Sequence, residues 1–229
     1  MSPTAPSPRT VIHRKPQRAH YDAATIAAII DTTLICQIAF NQGGSVHCLP
    51  TACWRIGNAL YIHGANNSRL TQTLLSTECA VCIAHVDGLV FARSALHHSM
   101  NYRSVVIYGR FAAVDAPSEK AAALAAFVDH VSPGRTALVR PPNTAELAGT
   151  RVLRLALDEA VAKTRDWGVV DDAEDLALPV WAGVVLLQIS AGMAQAEVGC
   201  AGQPQPALPA FLTTAQRTSP TPDPAPEQS

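Results

Sequence analysis

The stretch AVCIAHVDGLVFARS, residues 80–94, decides the fold of this chain. Apolar runs of strand length lie on both sides of the Asp87-Gly88 pair. An Asp-Gly pair supplies the positive φ angles that a type I′ turn requires. We therefore predict a β-hairpin with strands at residues 80–86 and 89–94 and its turn at Asp87-Gly88.

Further hairpins are predicted on either side of this one. The intervening residues 41–44 suit a turn between two strands, and the Gly57-Asn58 pair marks another turn. The additional strands are predicted at residues 34–40, 45–54, 59–63, 102–114, 152–162 and 180–187. About seven or eight strands joined mainly by tight turns favour an antiparallel β-barrel over an alternating βαβ sheet.

Short helices are predicted where a capping residue precedes a helix-favouring segment. They are residues 23–31 behind Asp22, residues 68–76, a run from Asp115 to about His130, and a short helix opened by Asn143 with Glu146 three residues later. The predicted fold class is therefore mainly β with peripheral helices (α+β).

Composition limits the possible functions. Of the 229 residues, 48% are hydrophobic and 15% are charged, and the formal net charge is −1. This charge argues against a nucleic-acid-binding protein. The sequence contains no run of about 18 apolar residues, so no membrane span is predicted. No apolar core of a secretory signal is visible near the N-terminus. We expect a cytoplasmic protein with reduced thiols.

Proline-rich composition sets the expected domain limits. We predict a disordered N-terminal tail at residues 1–10, one folded domain at residues 11–189, and a disordered proline-rich C-terminal tail at residues 190–229. Such segments bury too little apolar surface to offset the loss of chain entropy.

Residues 61–69, YIHGANNSR, form the first candidate site. A strand ends, Gly64 allows a close backbone approach, and a helix begins. The free N–H groups of a helix N-terminus favour an anion. Ser68 adds a hydroxyl donor, and Arg69 adds a forked cation suited to phosphate. An ordinary helix cap with a surface arginine is the alternative interpretation.

Two other segments are rich in polar residues. Residues 94–104 lie between two β segments and contain His97, His98 and several hydroxyl or amide side chains. A solvated connection is the alternative there. Residues 163–168 supply two cations and the aromatic Trp167, although a basic strand end with a buried Trp explains them equally well.

The cysteines and histidines raise metal and haem alternatives. Cys79 and Cys82 have the spacing of a zinc pair, but on a strand they point to opposite faces, and a second such pair is missing. Buried, inert thiols are the favoured interpretation. The eight histidines leave a non-covalently bound haem open, since no Cys-x-x-Cys-His motif exists. No metal site is predicted.

The ordered set of motifs resembles the pyridoxamine 5′-phosphate oxidase-like flavin-binding proteins, especially the branch that includes nitroimidazole-resistance proteins. The resemblance covers about residues 10–188 in colinear order. It rests on residues 61–70, 87–90, 97–105, 133–135, 140–142, 163–165 and 179–183.

This resemblance implies an antiparallel split β-barrel that forms a homodimer and holds FMN between its subunits. Ser68 and Arg69 match the phosphate clamp of that family, preceded by His63 and Gly64. The strand from His47 to Thr51 would lie along the isoalloxazine. The remaining implied flavin contacts are Ser104 with Tyr102 and Arg103 beside it, and Lys163 and Arg165.

The implied activity is that of an FMN-dependent oxidoreductase acting on a small molecule, with NAD(P)H as a candidate electron donor. In a flavin enzyme the cofactor carries the electrons, and the protein orients and tunes it. No catalytic residue is predicted. Leu70 stands where vitamin B6 oxidases have Lys, so the flavin is better supported than a B6 substrate. A haem protein and a non-enzymatic flavin carrier remain alternatives.

Overall fold

The computed structural model describes residues 4–200 and 202–213. Within them the chain forms eleven β-strands and five α-helices. The strands are β1 Ala19–His20, β2 Ile35–Gln42, β3 Ser45–Ala52, β4 Trp54–Ile56, β5 Ala59–Ala65, β6 Cys79–Phe91, β7 Ser99–Gly109, β8 Ala112–Ala113, β9 Thr150–Ala156, β10 Ala160–Arg165 and β11 Gly183–Leu186. The helices are α1 Ala23–Ile30, α2 Arg69–Ser76, α3 Pro117–Val131, α4 Thr144–Gly149 and α5 Ala210–Thr213.

The strands form two antiparallel sheets. The larger sheet has the order β1-β10-β7-β6-β2-β3. Strand β11 pairs with the C-terminal part of β6, on the edge opposite β7. The smaller sheet has the order β4-β5-β9-β8. The two sheets do not close into one hydrogen-bonded cylinder, so the predicted antiparallel split β-barrel is confirmed.

The main core lies between the inner faces of the two sheets. Ile38 and Val81 of the larger sheet and Ile62 and Leu153 of the smaller one are fully buried. Helix α1 closes one end with three buried isoleucines, Ile26, Ile29 and Ile30. Burial of such side chains supplies the main driving force for folding.

The chain passes from one sheet to the other at Cys53. The sequence suggested one strand over residues 45–54, but β3 ends at Ala52 in the larger sheet and β4 begins at Trp54 in the smaller one. Trp54 is fully buried on the outer face of the smaller sheet, where Tyr61, Val152 and helix α3 form a second core. This second core includes Phe127 and fixes α3 on the sheet.

The predicted hairpin turn at Asp87-Gly88 is wrong. Residues 79–91 form a single strand, β6, with a β-bulge between Val86 and Gly88. Strand β11 passes so close that a Cβ on Gly88 would lie 3.1 Å from Val184 Cγ1 and 3.2 Å from Val185 O. The glycine therefore permits a close strand approach at a bulge rather than a turn.

Local capping signals had mixed outcomes. Asp22 accepts a hydrogen bond from the Thr25 N–H at 2.8 Å and caps α1, as predicted. Asn143 and Glu146 form the predicted capping box of α4. Asp115 does not cap α3, because the helix begins two residues later at Pro117 and its N-cap has no side-chain bond. Proline at the first helical position suits this start.

Residues near both ends of the described part contact the barrel. Thr10 is fully buried, and Arg9 pairs with Glu78 and Glu159. Near the other end, Ser132 Oγ donates to Ala207 O at 2.8 Å. The domain limits stay a prediction, and residues 1–3, 201 and 214–229 lie outside the described residues. No helix in the described ranges is long and apolar enough to cross a membrane.

Candidate functional site

The junction between β5 and α2 has the geometry that the sequence predicted. A Cβ on Gly64 would lie 3.0 Å from Thr71 Cγ2, so the glycine lets the first turn of α2 pack directly on the strand end. Ser68 is the N-cap of α2, but its hydroxyl makes no capping bond. That hydroxyl is therefore available to a ligand beside the N–H groups of the first turn.

Arg69 is the first residue of α2, and its side chain is exposed. Among the described residues, no hydrogen bond or ion pair engages its guanidinium. An exposed, unpaired guanidinium at a helix N-terminus adds a cation to donors that already favour an anion.

The loop before α2 is held in place from the neighbouring elements. The Asn66 side chain donates to Ala148 O, and the Asn66 N–H donates to Gly149 O at 3.1 Å. Thr71 Oγ1 donates within the turn to Ser68 O at 3.0 Å. These bonds position the helix start before any ligand binds, which reduces the cost of ordering it.

The sequence motifs missed a second cation at this junction. Arg151 of β9 is the antiparallel partner of Gly64, and its Nε donates to Asn66 Oδ1 at 3.5 Å. Directly opposed residues of an antiparallel pair share one face of the sheet. Nothing in the sequence near Arg151 resembles an anion motif, so only knowledge of the pairing of β5 with β9 could have identified it.

His63 lies on the opposite face of β5, in an aromatic cage. Its ring centroid is 4.8 Å from that of Phe127 and 5.7 Å from that of Trp54. Its Nδ1 is buried and has no hydrogen-bond partner in the described structure. Burial lowers the pKa of His63 below its usual 6.5, so the imidazole is neutral at pH 7.

The pairing of β7 with β10 brings four more predicted residues together. Tyr102 is opposite Arg165, and Ser104 is opposite Lys163. Ser104 Oγ donates to Lys163 O at 3.2 Å, and Lys163 Nζ donates to Arg14 O at 3.3 Å.

Arg165 is almost completely buried and holds the chain that follows β10. Its guanidinium donates to Asn101 Oδ1, to Trp167 O at 2.8 Å and to Gly168 O at 3.0 Å. Burial and the nearby Arg18 lower its pKa. The donors of Arg165 therefore serve the local structure, and a flavin contact by this residue stays a prediction.

Arg103 lies on the inner face, away from Tyr102 and Ser104. Its Nε donates to both carboxylate oxygens of Asp87, at 3.0 and 3.1 Å, and its Nη1 donates to Thr32 Oγ1 at 2.7 Å. These groups line a cavity of about 400 Å³ that Ile189 and Phe211 also border. The bulge at Asp87 thus provides the carboxylate that pairs with Arg103.

His47 and Thr51 lie on the inward side of edge strand β3. His47 is opposite Phe40 and stacks on it with ring centroids 5.5 Å apart. Thr51 is opposite the buried Cys36. The alternate residues of the same strand form part of the outer sheet face.

The outer face of β2, β3 and β6 is uncharged. Strand alternation places there Ile35, Gln37, Ala39, Asn41, Val46, Cys48, Pro50, Ala52, Ala80, Cys82, Ala84 and Val86. Most of these are exposed; Val46 is 80% exposed and Ile35 is 53% exposed. A contiguous exposed surface of this kind is typical of an interaction site.

The turn between β6 and β7 is tied to the chain that follows β10. Asp171 accepts the Arg93 N–H at 2.9 Å and the Arg93 guanidinium at 2.6 Å. His98 Nδ1 lies 3.0 Å from Ser94 O. Trp181 packs against Phe91 and remains 65% exposed.

The predicted site residues thus fall into separate groups. Gly64, Ser68 and Arg69 lie together at the β5–α2 junction, whereas His63 faces the other side of β5. Tyr102, Ser104, Lys163 and Arg165 share the outer face of β7 and β10. Cys79 is buried and Cys82 exposed, on opposite faces as predicted. Within the described ranges, no three His, Cys, Asp or Glu side chains cluster to hold a metal ion.

The family model described as pyridoxamine 5′-phosphate oxidase matches residues 22–164. The chain is also similar to a solved structure of the flavocytochrome Anf3 from Azotobacter vinelandii. They share 33% identity over 92% of this chain and 97% of that one, with a TM-score of 0.83.

A second solved structure, the FAD and haem binding protein from Mycobacterium smegmatis, shares 32% identity over 85% of this chain and 95% of that one, with a TM-score of 0.78. A putative 5-nitroimidazole antibiotic resistance protein from Bacteroides thetaiotaomicron shares the fold at 17% identity, over 64% of this chain and 86% of that one, with a TM-score of 0.55. No curated protein matches the chain.

Proposed function

Because the chain belongs to the pyridoxamine 5′-phosphate oxidase family, we propose that it is a flavin-binding redox protein whose flavin phosphate binds at the start of α2. The observation that carries this proposal is the free donor set at that junction. The Ser68 hydroxyl makes no capping bond, and the Arg69 guanidinium has no partner among the described residues. Both groups suit a phosphate oxygen.

FMN is the flavin that the sequence predicts, whereas one relative at 32% identity is described as an FAD and haem binding protein. The two flavins share the phosphate that would meet Ser68 and Arg69. We therefore propose a flavin nucleotide, and the identity of the bound flavin is the first quantity to measure.

When bound, the flavin supplies hydride and electron transfer, and the protein positions and tunes it. Gly64 and Asn66 hold the phosphate donors in a fixed turn. Tyr102, Ser104 and Lys163 lie along one sheet face, where they would contact the polar edge of a flavin ring. The proposed activity is oxidation or reduction of a small molecule, with NAD(P)H as the candidate electron donor.

A homodimer is part of this proposal. The outer face of β2, β3 and β6 carries no charged residue and is largely exposed in one chain. A second copy of the same face would cover it with a self-complementary, two-fold interface. Burial of Val46 and Ile35 there would remove apolar surface from water.

A second prosthetic group is favoured by one specific observation. Two relatives above 30% identity are described as a flavocytochrome and as an FAD and haem binding protein. We therefore propose that this chain also binds haem non-covalently, with His63 as its ligand. His63 suits this role because ligation requires a neutral imidazole, and burial keeps the ring neutral.

Three of the other histidines are already engaged in hydrogen bonds. His20 bonds to Thr164 Oγ1, His98 to Ser94 O, and His130 to Thr33 O, at 2.8, 3.0 and 2.6 Å. Among the described residues, no hydrogen bond engages the His63 ring, and the adjacent rings of Trp54 and Phe127 form an apolar wall beside it.

The flavin is tested on the purified chain. The released chromophore is identified by mass, and the emptied protein is titrated with FMN, FAD and riboflavin by fluorescence. We expect saturable flavin binding that Arg69→Ala weakens by about 1.5–3 kcal/mol for the phosphorylated flavins, the value of a charge-assisted hydrogen bond. Absence of both a co-purified flavin and saturable binding would overturn the proposal.

The haem is tested by titrating hemin into the purified protein and recording the Soret band. We expect a saturable band whose position changes in His63→Ala and stays unchanged in His98→Ala, an exposed histidine of the β6–β7 turn. A chain that does not bind hemin would refute the haem proposal and leave the flavin proposal standing.

A further inference from the structure

Fewer than half of the thirteen arginines that the structure describes are paired with acids. Six of the described arginines form salt bridges with carboxylates: Arg9, Arg55, Arg93, Arg103, Arg140 and Arg154. Arg69 and Arg151 form none among the described residues, and both flank the turn that begins α2. Two guanidinium groups beside one helix N-terminus, without a compensating carboxylate, leave excess positive charge there.

The backbone fixes Arg151 at this position. It is directly opposite Gly64 in the β5–β9 pairing. A Cβ on Gly64 would point at Thr71 and Ser68, which are 3.0 and 4.0 Å away. Since opposed residues share a face, the Arg151 side chain leaves β9 on the side where α2 starts.

A contact with the loop confirms this direction. Arg151 Nε lies 3.5 Å from Asn66 Oδ1, and the side chain is half-buried. Asn66 is two residues before Ser68 and is itself fixed on Ala148 and Gly149. The guanidinium is therefore held beside the turn, with Nη groups that no described acceptor engages.

We propose that Arg151 is the second cation of the flavin phosphate site and acts together with Arg69 from the other side of the turn. This inference rests on the proposed function. An FMN phosphate carries close to two negative charges near neutral pH, and the diphosphate of FAD also carries two. Two arginines match that charge, whereas Ser68 and Arg69 alone leave one charge unpaired.

Arg151 and Arg154 provide a matched pair of variants. Both lie on β9, but Arg154 is exposed and pairs with Glu119 at 3.2 Å, away from the α2 start. The experiment measures the dissociation constants of FMN, FAD and riboflavin for the wild type, Arg151→Ala and Arg154→Ala by fluorescence titration of flavin-free full-length protein.

We expect Arg151→Ala to weaken binding of the phosphorylated flavins by at least tenfold. Binding of riboflavin, which has no phosphate, should stay within twofold of the wild type, and Arg154→Ala should not differ from the wild type for any of the three. The salt dependence of FMN or FAD affinity should also become shallower in Arg151→Ala, because one ionic contact is lost.

Further measurements distinguish a folding defect from a loss of flavin binding, and they identify the phosphate that Arg151 contacts. Circular dichroism and thermal unfolding establish that the variants are folded, and Arg151→Lys tests whether positive charge alone restores part of the affinity. A loss for FAD alone would assign Arg151 to the second phosphate of that cofactor; an equal loss for FMN and FAD would assign it to the phosphate that the two share.

Two results would overturn the inference. One is an unchanged affinity of Arg151→Ala for both phosphorylated flavins while the wild type binds them. The other is an equal loss for riboflavin, which would show that Arg151 only supports the fold. A wild type that binds no flavin would instead refute the proposed function itself.

Discussion

Gly64 packs so closely on Thr71 that a Cβ added to the glycine would lie 3.0 Å from Thr71 Cγ2. The first turn of α2, and with it the donors of Ser68 and Arg69, is positioned by this contact. Gly64 is not one of the glycines with a positive φ. Glycine is therefore required at this position for steric reasons.

We therefore expect Gly64→Ala to destabilise the protein by about 1–3 kcal/mol, the usual cost of overpacking, and to weaken FMN or FAD binding. Urea unfolding and fluorescence titration measure the two effects. Thr71→Ser removes the clashing methyl but keeps the Oγ1 bonds to Ala65 O and Ser68 O.

In the double variant Gly64→Ala/Thr71→Ser, the cost should be smaller than the sum of the single costs, since the two residues are in contact. Strict additivity of the two changes would contradict a direct clash.

Arg165 is expected to matter for stability more than its polarity suggests. Its guanidinium satisfies Asn101 Oδ1, Trp167 O and Gly168 O. A lysine cannot reproduce this fork, so Arg165→Lys should lower the free energy of unfolding by about 2–4 kcal/mol, since buried acceptors lose their donors.

Arg154→Lys is the control for this change. Arg154 is exposed and pairs with Glu119, so that substitution should alter stability by less than about 0.5 kcal/mol. Similar unfolding midpoints for the two variants in urea would argue against a structural role of Arg165.

The pH dependence of stability should report on His63. Burial lowers its pKa from the usual 6.5 in the folded protein. Below pH 6.5 the unfolded chain binds a proton at this residue that the folded protein does not, so unfolding takes up a proton and stability falls as the pH falls.

His63→Asn should therefore flatten the decline in unfolding free energy between about pH 6.5 and pH 5, measured by urea unfolding of the cofactor-free protein. His98→Gln, on an exposed turn residue, should leave the slope unchanged. An unaltered slope in His63→Asn would show that the buried ring is not the group responsible.

Thiol labelling should reveal how two copies meet. Cys36, Cys53 and Cys79 are buried, whereas Cys48, Cys82 and Cys200 are exposed in one chain. A hydrogen bond with Cys53 and burial raise the pKa of Cys36, and burial raises that of Cys79 to about 12, so these thiols should not react in the native state.

If the proposed dimer uses the outer face of β2, β3 and β6, Cys48 and Cys82 become covered. We then expect only Cys200 to react rapidly with a thiol reagent, and Cys48 and Cys82 to join it when Val46→Glu separates the subunits. Rapid reaction of Cys48 and Cys82 in a dimer of the expected mass would place its interface elsewhere.

Much of the local structure could be predicted from the sequence. The Asp22 cap, the capping box at Asn143 and the start of α2 at Ser68 each depend on residues within one helical turn. Such interactions are short in range, so neighbouring residue types are sufficient to indicate them.

The Asp87-Gly88 pair shows where this approach fails. The Asp-Gly dipeptide favours a turn. Long-range pairing with β7 on one side and with β11 on the other nevertheless keeps β6 continuous. Tertiary contacts override a local preference when they bury more surface and satisfy more backbone groups than the turn would.

By itself, the sequence predicted the antiparallel barrel class and the starts of α1, α2 and α4, and an anion site at residues 61–69 stays a prediction. Only the tertiary structure decided that Arg151, 85 residues after Asn66, reaches the same turn, and that an uncharged surface forms across β2, β3 and β6. The physical reason is that strand register sets which distant residues become neighbours, and register is fixed by burial of the whole sheet rather than by any short segment.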